Sequence, residues 1–340
     1  MKVYAGMDPR LPAADIGGYA RRVEHLGYDG LHVAEMIHDP YVASALALSA
    51  TTSLSVRTGV ALAFVRSPMA TALSAWELAH LSGGRFTLGL GTQIRANIED
   101  RYGMAFDRPV ARMADHLAAI RACFDAFERG EPVTHHGEFH RLTRLQPDFR
   151  PEPLDSVPRP EVWLGAVGDQ MVRLAGRAAD GLMTHPTNSH PIDLAERLVP
   201  ALAAGANGAG RPPPPVVASP MVITGRDAAA VAEGRDAVRR RLAFLYSTPA
   251  YWPTLELLDM ADLGAELRAL TRDDAWDRLP AVLSDDVLDR LAPAGAWAEI
   301  GALLSARYAD LTEGVLLRPP VDAGHDDEFA AVVADLRRGS

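Results

Sequence analysis

Residues 162–181, VWLGAVGDQMVRLAGRAADG, read as a strand, a tight turn and a helix in direct succession. The apolar run Val162-Trp163-Leu164 ends at Gly165, and Ala166-Val167-Gly168 turns the chain. Beyond the turn, Met171, Leu174 and Ala175 recur at helical spacing on one face. Asp180-Gly181 then opens a second apolar run. A glycine-bearing turn into a helix start gathers free backbone N–H groups before the positive end of the helix dipole, which is the chemistry of a phosphate site. The same spacing also suits an ordinary strand-to-helix turn, since glycine ends many strands.

Working outward, the alternation continues along the chain. Strands are expected near 3–7, 30–34, 56–63, 86–91, 162–165, 181–185, 216–224 and 314–317. Most are unbroken apolar runs, as in parallel strands buried on both faces. Helices are expected at about 12–26, 41–50, 68–81, 109–129, 169–178, 192–206, 227–244, 296–311 and 326–338. The helix at 109–129 is the plainest: Pro109 opens it, Val110, Met113, Leu117, Ile120, Phe124 and Phe127 repeat at threes and fours, and Gly130 stops it. Eight alternating units imply an α/β chain folded as a (β/α)8 TIM barrel, a single domain over 1–340. A doubly wound sheet would divide this length into two domains, and no linker interrupts the alternation; GAGRPPPP (208–215) is a loop before strand seven. Insertions are expected after strand four (92–108), before strand five (130–160, with a hairpin-like HHGEFHRL) and between strands seven and eight (245–295).

The chain has 340 residues, 48% hydrophobic and 23% charged, with a net charge of −10. That charge argues against a nucleic-acid surface. There is no apolar run long enough to span a membrane. MKVYAGMDPR reads as a first strand without the features of a secretory signal, and with a single cysteine, Cys123, a reducing cytoplasm is the expected compartment. Cys123 lies beside Ile120, Phe124 and Phe127 and is expected in the core. Lys2 is the only lysine, and the richness in Ala, Gly, Pro and Arg points to a GC-rich genome such as an actinobacterial one.

In a barrel, chemistry sits at the C-terminal strand ends, so the residues able to reach a ligand are few. Glu35 ends strand two, followed by Met36 and His38. Gly59 and Val60 lie within strand three. Gly91, Thr92 and Gln93 end strand four. His185 and Asn188 end strand six; Ser219, Met221 and Thr224 are expected on strand seven, with Arg318 after strand eight. Glu35 suits a general acid or a cofactor contact; the bland alternative is a carboxylate satisfied by a nearby arginine. His185 suits proton transfer near neutral pH. His135, His136, Glu138 and His140 sit on the apparent hairpin rather than at helical ligand spacing, so no metal is expected. Catalytic GxSxG, P-loop and GxGxxG patterns are absent.

Together these segments resemble the bacterial luciferase-like superfamily of (β/α)8 oxidoreductases. The resemblance is carried by GYDGLHVAE (27–35) with HDPY (38–41), TGVALAFVRSPMATA (58–72), GGRFTLGLGTQ (83–93), GEFH (137–140), LAGRAADG (174–181) and PAGAWAEIGALL (293–304). GTQIRANIEDRYGM (91–104) and YSTPAYW (246–252) look most like the branch dependent on the deazaflavin coenzyme F420.

The resemblance implies a flavin or deazaflavin at the barrel mouth, with its phosphate on the turn Ala166-Val167-Gly168-Asp169. It implies a non-prolyl cis peptide in strand three, which counting back from Arg66-Ser67-Pro68 places at Gly59-Val60. Glu35, Gly91, Thr92, Gln93 and Asn97 would complete the cofactor contacts. In the family's sugar-phosphate dehydrogenases, the acid ending strand two is followed by His, and a Glu follows the strand-four Gly-Thr pair. Here those places hold Glu35, Met36 and Ile94, and the lysines that bind the sugar phosphate have no counterpart in a chain whose only lysine is Lys2. Asn97, Glu99 and His185 are left as the polar groups placed to replace them.

The resulting expectation is an F420-dependent oxidoreductase moving a hydride between the deazaflavin C5 and an organic substrate. Glu35, His185 and Glu99 are the catalytic candidates; Met36, Ile94, Phe64 and Trp252 suggest a largely apolar pocket. The alternatives are an FMN-dependent two-component monooxygenase of the same fold and a non-catalytic flavin-binding relative. The resemblance implies a homodimer through helices two and three, where Ala43, Leu46, Ala47, Ala70, Ala72 and Leu73 are small and apolar enough to permit close packing, as they would be in an ordinary buried barrel helix.

Overall fold

Eight strand positions close into a parallel barrel in the computed structural model, which describes residues 1–339; Ser340 lies outside the described residues. In chain order the strands are Lys2–Gly6, Gly30–Val33, Ser55–Thr58 continued by Ala61–Leu62, Phe86–Gly91, Val162–Gly165, Gly181–Met183, Val216–Ala218 and Gly314–Leu316. Strand one pairs with strand eight (Val3 opposite Val315) and strand two (Ala5 opposite Leu31), so the sheet has no free edge. All pairings in the barrel are parallel, which puts every strand's C-terminal end at one mouth.

Helices surround the barrel. Pro109–Arg129, Asp169–Ala178 and Asp326–Arg338 fall where the apolar spacing placed them. Helix Pro109–Arg129 buries Met113, Leu117, Ile120, Phe124 and Phe127, each contributing about 1.5–3 kcal/mol on leaving water. Trp76, on helix Pro68–Ser82, packs edge-on against Phe127 at 5.3 Å. Cys123 is fully buried in the same layer, and burial pushes its thiol up to about 12. Inside the barrel, Tyr4, Trp163, Met183 and Val217 form a buried layer. The Arg57 guanidinium lies over the Trp163 ring at 3.7 Å.

Two expected strands are interrupted. The run 56–63 breaks at Gly59-Val60, which is a cis peptide bond. Arg57 is opposite Thr87 and Ala61 is opposite Leu90, so strand three carries one residue more than strand four between these pairs: a bulge. The run 216–224 is two strands. Val216–Ala218 belongs to the barrel, whereas Ile223–Gly225 pairs with Ala294–Ala296 outside it. Pro220, which has no N–H to give a ladder, lies between them. Met221 and Thr224 therefore do not lie on strand seven, and Ser219 follows it.

The insertions take three forms. After strand four the chain makes a π-turn at Asn97–Arg101. The segment before strand five contains the expected hairpin, with His135 opposite Leu142. The segment between strands seven and eight folds into short helices around a second core that includes Leu242, Leu255, Leu267 and Leu288. No helix among the described residues is long and apolar enough to cross a membrane.

Candidate functional site at the barrel mouth

The strand-three bulge shapes the centre of the mouth. The Gly59 N–H donates to the Val33 carbonyl (2.8 Å), and the Glu35 N–H donates to the Val60 carbonyl (3.1 Å). These bonds turn Val60 toward the strands across from it. Its two methyls lie 2.5 and 2.6 Å from where a Cβ would stand on Gly91 and Gly165. Only glycine at those strand ends admits the Val60 side chain, which forms a half-buried apolar knob. Thr58, just below, donates to the Gly89 carbonyl and accepts the Gly89 N–H, both at 2.8 Å, pinning the two strands together.

Glu35 is buried beside this knob. One carboxylate oxygen accepts the Leu62 N–H (2.7 Å), and both accept from Arg66 (2.8 Å). Arg66 also donates to Asp39 (2.7 Å), whose other oxygen caps helix Pro40–Ala50. The carboxylate is thus satisfied by a backbone amide and an arginine, and Val60 stands half-buried beside it.

The turn after strand five has the form of an anion cradle. Among the described residues, the N–H groups of Val167, Gly168, Asp169 and Gln170 make no hydrogen bond, and helix Asp169–Ala178 has no side-chain cap. Gly168 has φ −81° and ψ 147°, a conformation open to any residue, and no atom lies within 4 Å of a Cβ built on it. The fold therefore does not itself require glycine there. Arg197 braces the turn, donating to the Val167 carbonyl (2.9 Å) and to the Asp169 carboxylate (2.7 Å) while paired with buried Asp193. That pairing sets a positive charge against the Asp169 carboxylate at the start of the helix. Arg197 lies four residues after Asp193, a helical ion-pair spacing visible in the sequence.

Strand six delivers His185 beside the turn. Its N–H donates to the Asn188 side-chain oxygen (2.7 Å), and the Asn188 amide donates to the Ala166 carbonyl (2.9 Å), coupling histidine and cradle. The ring stacks on Tyr251 of the last insertion at 4.7 Å. Burial, and then Arg241, push the His185 pKa down to about 4, so the imidazole is neutral at pH 7. Nδ1 accepts from the Thr187 N–H (3.4 Å) and faces the Thr187 hydroxyl (2.8 Å), which puts the neutral ring's proton on Nε2. A group titrating near neutrality was expected here; burial instead keeps this imidazole neutral, with its proton on Nε2. The last insertion does fold over this face, anchored by the Thr254 hydroxyl on the Thr187 carbonyl (2.5 Å).

The loop after strand four reaches the mouth as its position implied. Arg101 donates to the Met36 carbonyl (2.6 Å), tying this loop to the end of strand two. Gly91 is buried, Thr92 and Asn97 are half-buried, and Gln93, at φ 58°, is exposed. Glu99 is exposed and paired with Arg95 (2.8 Å), so it is not drawn into a buried proton-transfer site. Of the four apolar residues expected to line a pocket, Met36 and Ile94 are exposed. Phe64 is buried against Phe106, and Trp252 packs on Gly264 with its N–H on the Tyr246 carbonyl (2.8 Å). Tyr251, one residue earlier in YSTPAYW, is the insertion's aromatic contact to the site; nothing in the spacing of that segment distinguishes the two rings.

His135 and His140 tie the hairpin to helix Pro109–Arg129 through Asp115. Asp115 accepts from His135 (2.7 Å) and from the N–H groups of Phe139 and His140 (2.8 Å each), while Glu138 pairs with Arg108. A groove of about 400 Å³ lined by Gln170, Arg173, Arg177 and Gly205 lies among the outer helices, not at the strand ends.

Known proteins share this architecture. A family model described as luciferase-like monooxygenase matches residues 3–312. An uncharacterized protein of Mycobacterium tuberculosis is 37% identical over 318 residues, covering 93% of this chain and 92% of the relative. A 5,10-methylenetetrahydromethanopterin reductase of Methanolobus tindarius is 29% identical, covering 92% of this chain and 93% of the relative. The structure of a coenzyme F420 dependent tetrahydromethanopterin reductase from Methanopyrus kandleri superposes with a TM-score of 0.82 at 18% identity, covering 99% of this chain and 98% of that one.

Proposed function

Since the chain belongs to the luciferase-like monooxygenase family, we propose that it is an oxidoreductase using the deazaflavin coenzyme F420 on a small organic substrate. The observation that carries this reading is the pairing of the Val60 knob with the unpartnered N–H cradle at 167–170. A knob flanked by glycines offers a flat apolar rest for a ring, and the cradle offers donors to a phosphate beside it. The deazaflavin is favoured as the ring by the structure neighbour named as coenzyme F420 dependent, a reductase like the Methanolobus relative. When bound, it supplies the hydride chemistry at C5.

The chain's own residues divide the remaining tasks. Val60 supports one face of the ring, seated by its methyls against Gly91 and Gly165. Val167, Gly168, Asp169 and Gln170 hold the phosphate through backbone N–H groups, with Arg197 fixing the turn. Thr92, Gln93 and Asn97 lie on the loop able to contact the ring edge. Glu35 positions the bulge through Leu62 and Arg66. His185 donates a hydrogen bond from Nε2 to an oxygen at the reacting centre, polarising it without carrying net charge. Met36 and Ile94 give the substrate's apolar part a surface, and Glu99 stays at the rim. We place the protein in the cytoplasm, as a homodimer through helices Pro40–Ala50 and Pro68–Ser82.

A second reading, an FMN-dependent monooxygenase, is favoured by the description of the family model itself. Equilibrium dialysis of the purified protein against oxidised F420 and against FMN at equal concentration separates the two. Preferential retention of F420 is expected. Retention of FMN alone, with oxygen consumption when it is reduced, would replace the proposal with the second reading.

A further inference from the structure

The insertion that covers the mouth is tied to the anion cradle through one buried carboxylate. Thr254, in the short helix Pro253–Leu257, is buried. Its hydroxyl reaches two oxygens, the Thr187 carbonyl (2.5 Å) and the Asp193 carboxylate, and gives its one proton to one of them at a time. Asp193 has no solvent exposure, and Arg197 spans both of its oxygens, Nε to one at 2.7 Å and Nη2 to the other at 2.9 Å. The remaining nitrogen of that guanidinium serves the cradle: Nη1 donates to the Val167 carbonyl (2.9 Å) and to the Asp169 carboxylate (2.7 Å). An unbroken line of bonds therefore runs from the turn that presents the free N–H groups to the covering segment.

The far end of that line is His185. Tyr251, three residues before Thr254, stacks on the imidazole at 4.7 Å with the two planes 17° apart. Thr187, whose carbonyl faces Thr254, sets its own hydroxyl 2.8 Å from His185 Nδ1. Thr254 thus bears on both groups that orient the ring, the stacked tyrosine and the hydroxyl beside it. The fold does not itself need this hydroxyl. Without it, Asp193 keeps both bonds from Arg197, and the Thr187 carbonyl keeps the Tyr246 hydroxyl at 3.4 Å, so each buried oxygen retains a donor. Leu255, the next residue, packs in the insertion's own apolar core rather than in the barrel's. What the Thr254 hydroxyl adds is the link between cover and cradle.

We infer that Thr254 is a positioning residue that couples the phosphate held at 167–170 to the cover. An anion on those N–H groups fixes the turn braced by Arg197, Arg197 fixes Asp193, and Asp193 through Thr254 sets Tyr251 against His185. Such coupling is reciprocal, so a cover that docks poorly weakens the hold on the phosphate. The inference rests on the proposed F420 reading for the identity of the anion.

Thr254→Val removes the hydroxyl and Thr254→Ser restores it. Affinity for intact F420 should fall about five-fold or more in the valine protein and recover in the serine protein, while affinity for the phosphate-free deazaflavin alcohol stays level in all three. Hydrogen exchange supplies a second measurement, which in the native chain needs no variant. Intact F420 should slow the amides of 248–258 and the alcohol should not, and Thr254→Val should lose this protection. Equal weakening of both ligands marks a merely structural role and overturns the inference. So does unchanged F420 affinity in a folded Thr254→Val protein, or equal slowing of those amides by F420 and by the alcohol. Inorganic phosphate separates this result from the cofactor reading. If the protein retains no F420, yet phosphate slows the same amides in the native chain and not in Thr254→Val, the F420 reading fails and the coupling stands. If phosphate slows them in neither protein, the coupling fails as well.

Discussion

Glu35 brackets the Val60 bulge from both sides: its N–H donates to the Val60 carbonyl at 3.1 Å, and its carboxylate accepts the Leu62 N–H at 2.7 Å. The carboxylate is buried and its charge is met by Arg66. Glu35→Gln keeps the shape but removes the charge, leaving Arg66 half-paired. Stability should fall by about 1–3 kcal/mol in denaturant unfolding, with weaker cofactor binding as the knob loosens. An unchanged midpoint together with abolished turnover would instead give Glu35 a direct chemical role.

His185 is neutral across the physiological range because its pKa is pushed down to about 4. The profile of kcat/KM against pH should show no limb near 6.5 belonging to this residue. His185→Gln, which retains a donor, should keep more activity than His185→Ala, with losses of about 10²–10³-fold in the latter. A limb near 6.5 that disappears in His185→Ala would restore the titrating acid.

His116, under the hairpin, is almost fully buried, and burial, followed by the His140 and Arg112 charges, lowers its pKa to about 3. An unfolded chain protonates this ring near its ordinary 6.5, so it binds more protons than the folded state between 6.5 and about 3. The contribution to stability is complete above 6.5 and shrinks as pH falls through that window. Between pH 7 and pH 5, His116→Gln should lose about 2 kcal/mol less than the native chain. Equal losses in the two proteins would show that His116 is not held neutral.

Helices Pro40–Ala50 and Pro68–Ser82 leave Val42, Leu46 and Leu81 exposed, whereas Ala43, Ala47 and Ala72 are already buried within one chain. A second copy covering that face should give a dimer in sedimentation velocity, converted to monomer by Leu46→Glu. A monomeric native protein would leave the face without that partner.

The barrel was legible because each strand is an apolar run and each helix a spaced one; helix Pro109–Arg129 could be bounded to the residue by its proline and glycine. Runs 56–63 and 216–224 each looked continuous because apolar pattern reports burial, not the pairing partner. The bulge is set by bonds from Val33 and Glu35, and the second break by pairing with Ala294–Ala296, far along the chain. The same limit applied to the site. The cradle was readable as one local segment, and the cis bond at Gly59-Val60 lies where the family resemblance put it. Arg66, which meets Glu35 across 31 residues, and Arg241, one arginine among several on its helix, carried no local mark.

The central claim is that the turn after strand five holds the phosphate of a deazaflavin resting on Val60. A two-by-two affinity measurement tests it most directly: native and Gly168→Val protein, each titrated with intact F420 and with the phosphate-free deazaflavin alcohol. Cutting away the phosphate and substituting Gly168 should each weaken binding about ten- to hundred-fold, and the two together no further than either alone. Losses that add, or a Gly168→Val protein that binds intact F420 as the native chain does, would contradict the account.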